Sequence, residues 1–387
     1  MVEHDERLAI AGGAMPLDAS SRDRMDREGR LHLDAVDALR ASGVARAAVP
    51  AELDGPQLNP MAQIELVEEF SRVDGAVGWC AMIAAAASYA CGFLQPEPAK
   101  RWFGPPDACL AGQLQPTGRA ERVADGFVVS GRFRFGSGIS HATMVLAGCL
   151  VTHNGETVRD DRGRLQLRTV IVEPAKVQVL DNWDTTGLRA TGSNDYVLDE
   201  VFVPEDDSYD PAGGAARDEP LYRFPPLFLC PHDGVPLGMA RRAIDEVIAL
   251  AAVKGVPAAG PGEPPKLRET VQVQEAVARA EVELGGARAL CYETVADLWS
   301  TLVSGGRVDA RQRGMYRASM SWAHDVARRI VGSMFDIAST SAIERGSTLD
   351  HLLRDIATAC QHRIVHTRVY APAGRLLLGL HSGDPTV

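Results

Sequence analysis

The chain reads as an α+β protein in three parts. Apolar residues recur at helical spacing through residues 31–102, alternate residue by residue from about 108 to 204, and return to spacings of three and four from 236 onward. This pattern divides the chain into an N-terminal helical domain (1–107), a central β-barrel or sandwich (108–210) and a C-terminal helical bundle (211–387). A chain of 387 residues exceeds one compact core of usual size and suits two or three packed units.

In the first part, Ile64, Val67, Phe70 and Val73 fall on one side of a helix, after a loop punctuated by Pro50, Gly55 and Pro60. The longest weakly polar stretch, Val77 to Leu94, is interrupted by Gly78, Ser88, Tyr89 and Gly92. It falls short of the roughly 18 uninterrupted apolar residues of a membrane span and reads as a buried helix.

In the centre, FVVSGRFRF places Phe127, Val129, Phe133 and Phe135 in alternation with Val128, Ser130, Arg132 and Arg134. That is a half-buried strand, entered through an Asp125-Gly126 turn. The runs TMVLAGCLV, RTVIVE, KVQVL and YVLDEVFVP add further strands. In the third part, Leu237, Ala240, Ile244, Val247, Ile248 and Ala251 mark one helix. Met315, Ala318, Trp322, Val326, Ile330 and Met334 mark a second, and either the bundle core or a subunit interface would use its apolar face. The segment GVPAAGPGEPPKLR between helices is a loop, because its prolines cannot continue a helix.

Composition narrows the function. A net charge of −11 argues against nucleic acid and gives no attraction to anionic membranes. Seven scattered cysteines without a Cys-x-x-Cys pair suit neither a disulfide framework nor a zinc site. His362 and His366 are one helical turn apart but lack the acidic partner of a His-Glu-x-x-His zinc motif. The charged start MVEHDERLAI has no signal-peptide core, and a reducing cytoplasm is the expected compartment.

Several motifs occur in a telling order: EFSRVDGAVGWCAM (69–82), GQLQPTGRA (112–120), DGFVVSGRFRFGSGISHA (125–142), NWDTTGLRATGSNDYVLDEVFVP (182–204) and, near the end, LLRDIATACQH. Together they resemble the acyl-CoA dehydrogenase superfamily over nearly the whole chain. Its fold has a helical N-terminal domain, a central β-domain and a C-terminal four-helix bundle. The Pro-Thr-Gly-Arg-Ala and Ser-Gly-x-x-His-Ala forms are similar to its two-component flavin-dependent monooxygenases. The resemblance implies reduced flavin (FAD or FMN) from a separate flavin reductase, and O2 as co-substrate. It also implies a C4a-hydroperoxyflavin, a hydrophobic small-molecule substrate and a homotetramer. Such chemistry needs an enclosed site, because water and free protons waste the oxidant as hydrogen peroxide.

By that resemblance, Ser137 contacts the flavin near N5, where one hydroxyl can donate or accept. From spacing alone, Gly-Ser-Gly is an ordinary turn. Phe135 corresponds to the aromatic residue packed on the flavin ring, and Gln113, Leu114, Gly118 and Arg119 to a flavin-lining loop. Gly118 would allow close backbone approach, and Arg119 would offset phosphate or substrate charge. His362 is the expected catalytic base, since imidazole exchanges protons near neutrality. It ends a stripe of Arg354, Thr358 and His362 at spacings of four, with Arg354 placed among the cofactor contacts. Where some relatives of this branch carry a substrate-facing histidine, this sequence has AAAASYA, with Ser88 and Tyr89.

Two other functions compete. Acyl-CoA dehydrogenation by FAD needs a carboxylate base, commonly near the C-terminus, and no glutamate follows Glu344. Glu246, Glu275 and Glu344 are the remaining choices. A degenerate member that only binds a ligand is the second alternative, and retention of Ser137 and His362 weighs against it.

Overall fold

The computed structural model describes residues 2–13, 19–256, 265–344 and 346–384. Six helices come first: α1 (His4–Gly13), α2 (Ala19–Glu28), α3 (Leu33–Ser42), α4 (Pro60–Val73), α5 (Gly75–Ser88) and α6 (Pro96–Phe103). Local chemistry sets their ends. Asn59 Oδ1 accepts from Ala62 N at 3.0 Å and Pro60 occupies the first turn of α4, an arrangement suited to a helix start. Asp74 ends α4 and starts α5, its Oδ1 accepting from Ala76 N at 2.9 Å and Val77 N at 3.2 Å. One side chain thereby holds the corner between the two helices that flank the site.

The span Gly75–Phe93 is long and apolar enough to cross a membrane, but 83% of it is buried inside the protein. It is a core helix, as its interrupted composition predicts. Val77, Cys80, Ala81 and Met82 all lie in the main core.

The central domain is one mixed sheet of β1 (Leu110–Val123), β2 (Gly126–Phe133), β3 (Met144–His153), β4 (Glu156–Thr157), β5 (Leu167–Val172), β6 (Gln178–Val179), β7 (Tyr196–Pro204) and β8 (Ser208–Tyr209). The order is β6-β7-β2-β1-β3-β5-β8, with β4 paired to β3. Only β1 and β3 run parallel. Phe127, Val129, Phe133, Val145, Ala147 and Tyr196 fill the domain core.

Three sequence expectations change here. Residues 112–120 are strand β1 rather than a free loop, and the pairing with β3 slips between Gln113 and Gly118. Of KVQVL, only Gln178 and Val179 pair. Strand β2 stops at Phe133, because Phe135 takes a positive φ of 64° and turns the chain out of the sheet. Alternation alone would have buried that ring.

The last part contains α7 (Gly234–Val253), α8 (Val271–Val303), α9 (Ala310–Ala338), α10 (Thr348–Ala359) and α11 (Tyr370–Leu377). Tyr316, Met320, Val326, Ile330 and Met334 of α9 lie in the core that also takes α4, α5 and α7, so this face belongs to the bundle. Most of the Gly/Pro-rich loop lies outside the described residues, but Val256 N donates to Pro265 O at 2.8 Å across its base.

Helix α7 packs closely on α4, where a Cβ on Gly238 would stand 2.2 Å from Glu68 O. Gly238→Leu should therefore lower stability by about 3 kcal/mol, read as an earlier denaturation midpoint, since backbone cannot move aside for a side chain.

Candidate active site

Three parts of the chain converge on Ser137. It follows β2 in the turn Gly136-Ser137-Gly138, and its hydroxyl is buried. Trp79, from α5, donates its Nε1–H to Ser137 Oγ at 3.2 Å. On the other side, Ser137 Oγ lies 2.7 Å from Ser193 Oγ, which lies 2.6 Å from Thr191 Oγ1. Thr191 donates to the Leu188 carbonyl at 2.7 Å.

The same Leu188 carbonyl accepts Trp183 Nε1–H at 3.0 Å, while Leu188 N donates to Asp355 Oδ1 of α10 at 2.6 Å. Burial, with Asp74 nearby, pushes the Asp355 carboxyl well above its ordinary range.

His362 packs against the other part of Trp79, with ring centroids 5.3 Å apart and nearly perpendicular planes. Its far side stacks on His232 at 5.5 Å. His362 does not lie on α10: the helix ends at Ala359, and the chain tightens into a turn in which His362 N donates to Ala359 O. The four-residue stripe of Arg354, Thr358 and His362 therefore breaks before its last member.

Burial, Arg317 and Arg363 hold the His362 imidazole down at about 4, so the ring is neutral at physiological pH. His324 and His141 are likewise lowered to about 4, chiefly by burial, and His232 well below the usual histidine value. The buried Nδ1 of His362 has no partner among the described residues, which leaves Nε2 as its reachable nitrogen.

Beside this group, Phe135 is 49% exposed and Leu114 42% exposed, unusual for large apolar side chains. Phe135 is fixed by Trp183 edge-on at 6.2 Å and by Arg134 over its ring at 4.7 Å. Gln113 Nε2 donates to Arg134 O at 3.3 Å, which joins β1 to this shelf. An apolar ledge next to a buried hydroxyl suits a planar, partly polar ring system.

Other residues singled out in the sequence sit differently. Gly118 is buried, and a Cβ there would stand 2.4 Å from the Phe133 ring; its smallness serves sheet packing. Arg119 is exposed on β1 opposite Ser130. The Arg354 guanidinium is held by Asp350 at 2.9 Å and the Thr186 carbonyl at 3.2 Å, so it braces the 184–188 loop. Ser88 caps Ala48 N at 2.9 Å and the Tyr89 hydroxyl bonds with Gln63 at 3.2 Å, both inside the core. Trp79, Thr191, Ser193 and His232 were not apparent from the sequence as functional residues. Only the Gly-Trp-Cys and Thr-Gly-Ser triplets inside the family motifs marked any of them.

The model of the acyl-CoA dehydrogenase N-terminal domain matches residues 18–102, and that of the C-terminal domain matches residues 232–367. An indole-3-acetate monooxygenase of Pseudomonas putida is 31% identical over 361 residues, 92% of this chain and 89% of its own. The chain belongs to the acyl-CoA dehydrogenase superfamily, in its flavin-dependent monooxygenase branch.

The oxygenase subunit HsaA of a flavin-dependent monooxygenase from Rhodococcus jostii is 26% identical, covering 84% of this chain and 86% of its own. XiaF from Streptomyces sp., solved with FADH2 and glycerol, shares the fold with a TM-score of 0.88 at 20% identity, over 99% of this chain and 98% of its own.

In this monooxygenase, no Asp or Glu is hydrogen-bonded or ion-paired to Ser137, Trp79 or His362 among the described residues. The carboxylate base of a dehydrogenase has no counterpart there. Glu246, one of the three carboxylates left open by the sequence, pairs with Arg242 at 3.3 Å.

The histidine shifts have a direct test. Because these rings are neutral in the fold down to about pH 4, their contribution to stability is present above the ordinary pKa of about 6.5 and is lost as pH falls from there toward 4. In a ¹⁵N titration, the ring signals that vanish in His362→Gln should keep their neutral shifts down to pH 5.

Proposed function

We propose that this monooxygenase is the oxygenase component of a two-component system, taking reduced flavin from a separate reductase and oxygenating a hydrophobic aromatic small molecule. The arrangement of Trp79 between Ser137 and His362 carries the reading. It sets a hydroxyl and a neutral base on either side of one rigid indole, beside an exposed apolar shelf. The HsaA relative, called an oxygenase subunit, supports the division of labour, and the Pseudomonas putida relative supports an aromatic substrate.

The residues fit a flavin. Phe135 and Leu114 offer an apolar bed for the ring, and Ser137 offers a hydroxyl to its edge. Gln113 adds a polar side chain at the margin. Bound reduced flavin supplies the two electrons that reduce O2, one oxygen atom going to the substrate and the other to water.

The chain's own work is to bind, enclose and move protons. Ser137 orients the ring edge, held from behind by Ser193 and Thr191. His362, neutral because it is buried near two arginines, accepts the substrate proton at Nε2. Its charged form is disfavoured, so the proton passes on rather than being retained. The packed core of α4, α5 and α7 closes the back of the site against water.

A homotetramer belongs to this proposal. Val282 on α8, Val303 at its end, and Ile343 and Leu378 further along the chain are each more than half exposed, as surfaces awaiting another copy would be. Mass measurement in solution should give four times 41.5 kDa.

Protein loaded with chemically reduced flavin and mixed rapidly with O2 should give a transient absorbance that precedes oxidised flavin. Indole-3-acetate with a flavin reductase is the first substrate to try. His362→Gln should lower product formation by about 100-fold while flavin binding persists, the usual scale for losing a general base. Reoxidation at the rate of free flavin, with no transient, would remove the oxygenase reading.

A further inference from the structure

Ser137 can only accept a hydrogen bond from a ligand, and the groups behind it fix this polarity. Each hydroxyl has one hydrogen to give. The hydrogen of Thr191 goes to the Leu188 carbonyl at 2.7 Å, an oxygen that cannot donate in return. The 2.6 Å contact between Thr191 and Ser193 must then be closed by the hydrogen of Ser193. By the same count, the 2.7 Å contact between Ser193 and Ser137 uses the hydrogen of Ser137. Trp79 Nε1–H, which only donates, fills one lone pair of Ser137 Oγ at 3.2 Å. Ser137 is left with no hydrogen to offer and one free lone pair among the described residues.

The end of this chain is pinned, so its direction cannot easily reverse. Leu188 holds a left-handed φ of 54°. Its carbonyl also takes Trp183 Nε1–H at 3.0 Å, and its N–H is bound to Asp355 Oδ1 at 2.6 Å. Reversal would leave a buried carbonyl short of a partner and set two hydroxyl hydrogens against each other.

We propose that Thr191 and Ser193 make the site select reduced over oxidised flavin, by locking Ser137 as an acceptor toward the ring edge. This rests on the flavin reading above. Reduced flavin carries a hydrogen on N5, whereas oxidised flavin presents a lone pair there. An acceptor-only Ser137 completes a hydrogen bond with the first and sets lone pair against lone pair with the second. An unmet buried polar group costs about 1–3 kcal/mol, enough for a preference of about tenfold or more. Thr191 and Ser193 touch no ligand themselves; they are positioning residues whose effect passes through Ser137. Spent flavin is then released to the reductase because its N5 no longer matches the site.

The test is equilibrium binding of FMN and of FAD, each oxidised and each reduced by dithionite without oxygen, to the full-length protein and its variants. Native protein should bind the reduced form about tenfold more tightly. Ser193→Ala frees the Ser137 hydrogen, so oxidised flavin should bind more tightly and the ratio should approach one. Thr191→Val keeps the side-chain shape and should move the ratio in the same direction. Ser137→Ala should weaken the reduced form alone. Thermal midpoints close to native would show that the variants fold.

If Ser193→Ala and Thr191→Val both keep the native ratio, or if native protein shows no preference, the proposal is overturned while flavin binding stands. If native protein binds neither redox form, the flavin reading fails together with it.

Discussion

The Leu188 peptide joins three regions of the fold. Its N–H is bound by a carboxylate of α10, and its carbonyl terminates a hydroxyl chain that reaches α5 through Trp79. Central domain, bundle and N-terminal helices thus meet at a single left-handed residue. A non-glycine residue in that conformation costs on the order of 1 kcal/mol, and it persists because both of its polar groups are engaged from different domains. Gly187 beside it is equally constrained, since a Cβ there would stand 2.1 Å from Arg354 O. The loop therefore docks on α10 backbone to backbone, and the position of Ser137 follows from that contact.

The active-site histidines show how the core sets reactivity. Stacked His232, neighbouring Arg317 and the loss of water all disfavour a second positive charge at His362. His232 Nδ1 and His324 Nδ1 are each bonded to a backbone carbonyl, of Leu229 at 3.0 Å and Met320 at 2.9 Å. A carbonyl can only accept, so both rings carry their hydrogen on Nδ1. The rings are rigid supports rather than mobile proton carriers, and the one partly exposed imidazole of the group is the one against Trp79.

Local pattern revealed the fold better than it revealed the site. Helical spacing found α4, α7 and α9, and alternation found β2, β3, β5 and β7, because each element buries one face and that requirement is written within a few residues. Phe135 escaped alternation because a backbone turn, not a side-chain preference, exposes it. Ser137 and His362 stood out through motifs shared with known relatives. Trp79, Ser193 and Thr191 did not, since their meaning lies in contacts 58 and 56 residues away along the chain, which no local window contains. Gly118 misled for a related reason: its closest neighbour is the Phe133 ring across the sheet, not a ligand.

Helix α5 has a consequence for how the protein is made. Its segment could span a bilayer by length and composition, and it becomes innocuous only when covered by α7 and α10. Those helices begin at Gly234 and Thr348, the latter 260 residues after Ser88. At about 5–20 residues per second, the ribosome takes on the order of 13–52 seconds to supply that cover. Throughout that interval a nascent chain displays a greasy hairpin arm with a tryptophan at its centre. The same helix that steadies the catalytic serine in the finished enzyme is thus, during synthesis, the segment most in need of a chaperone.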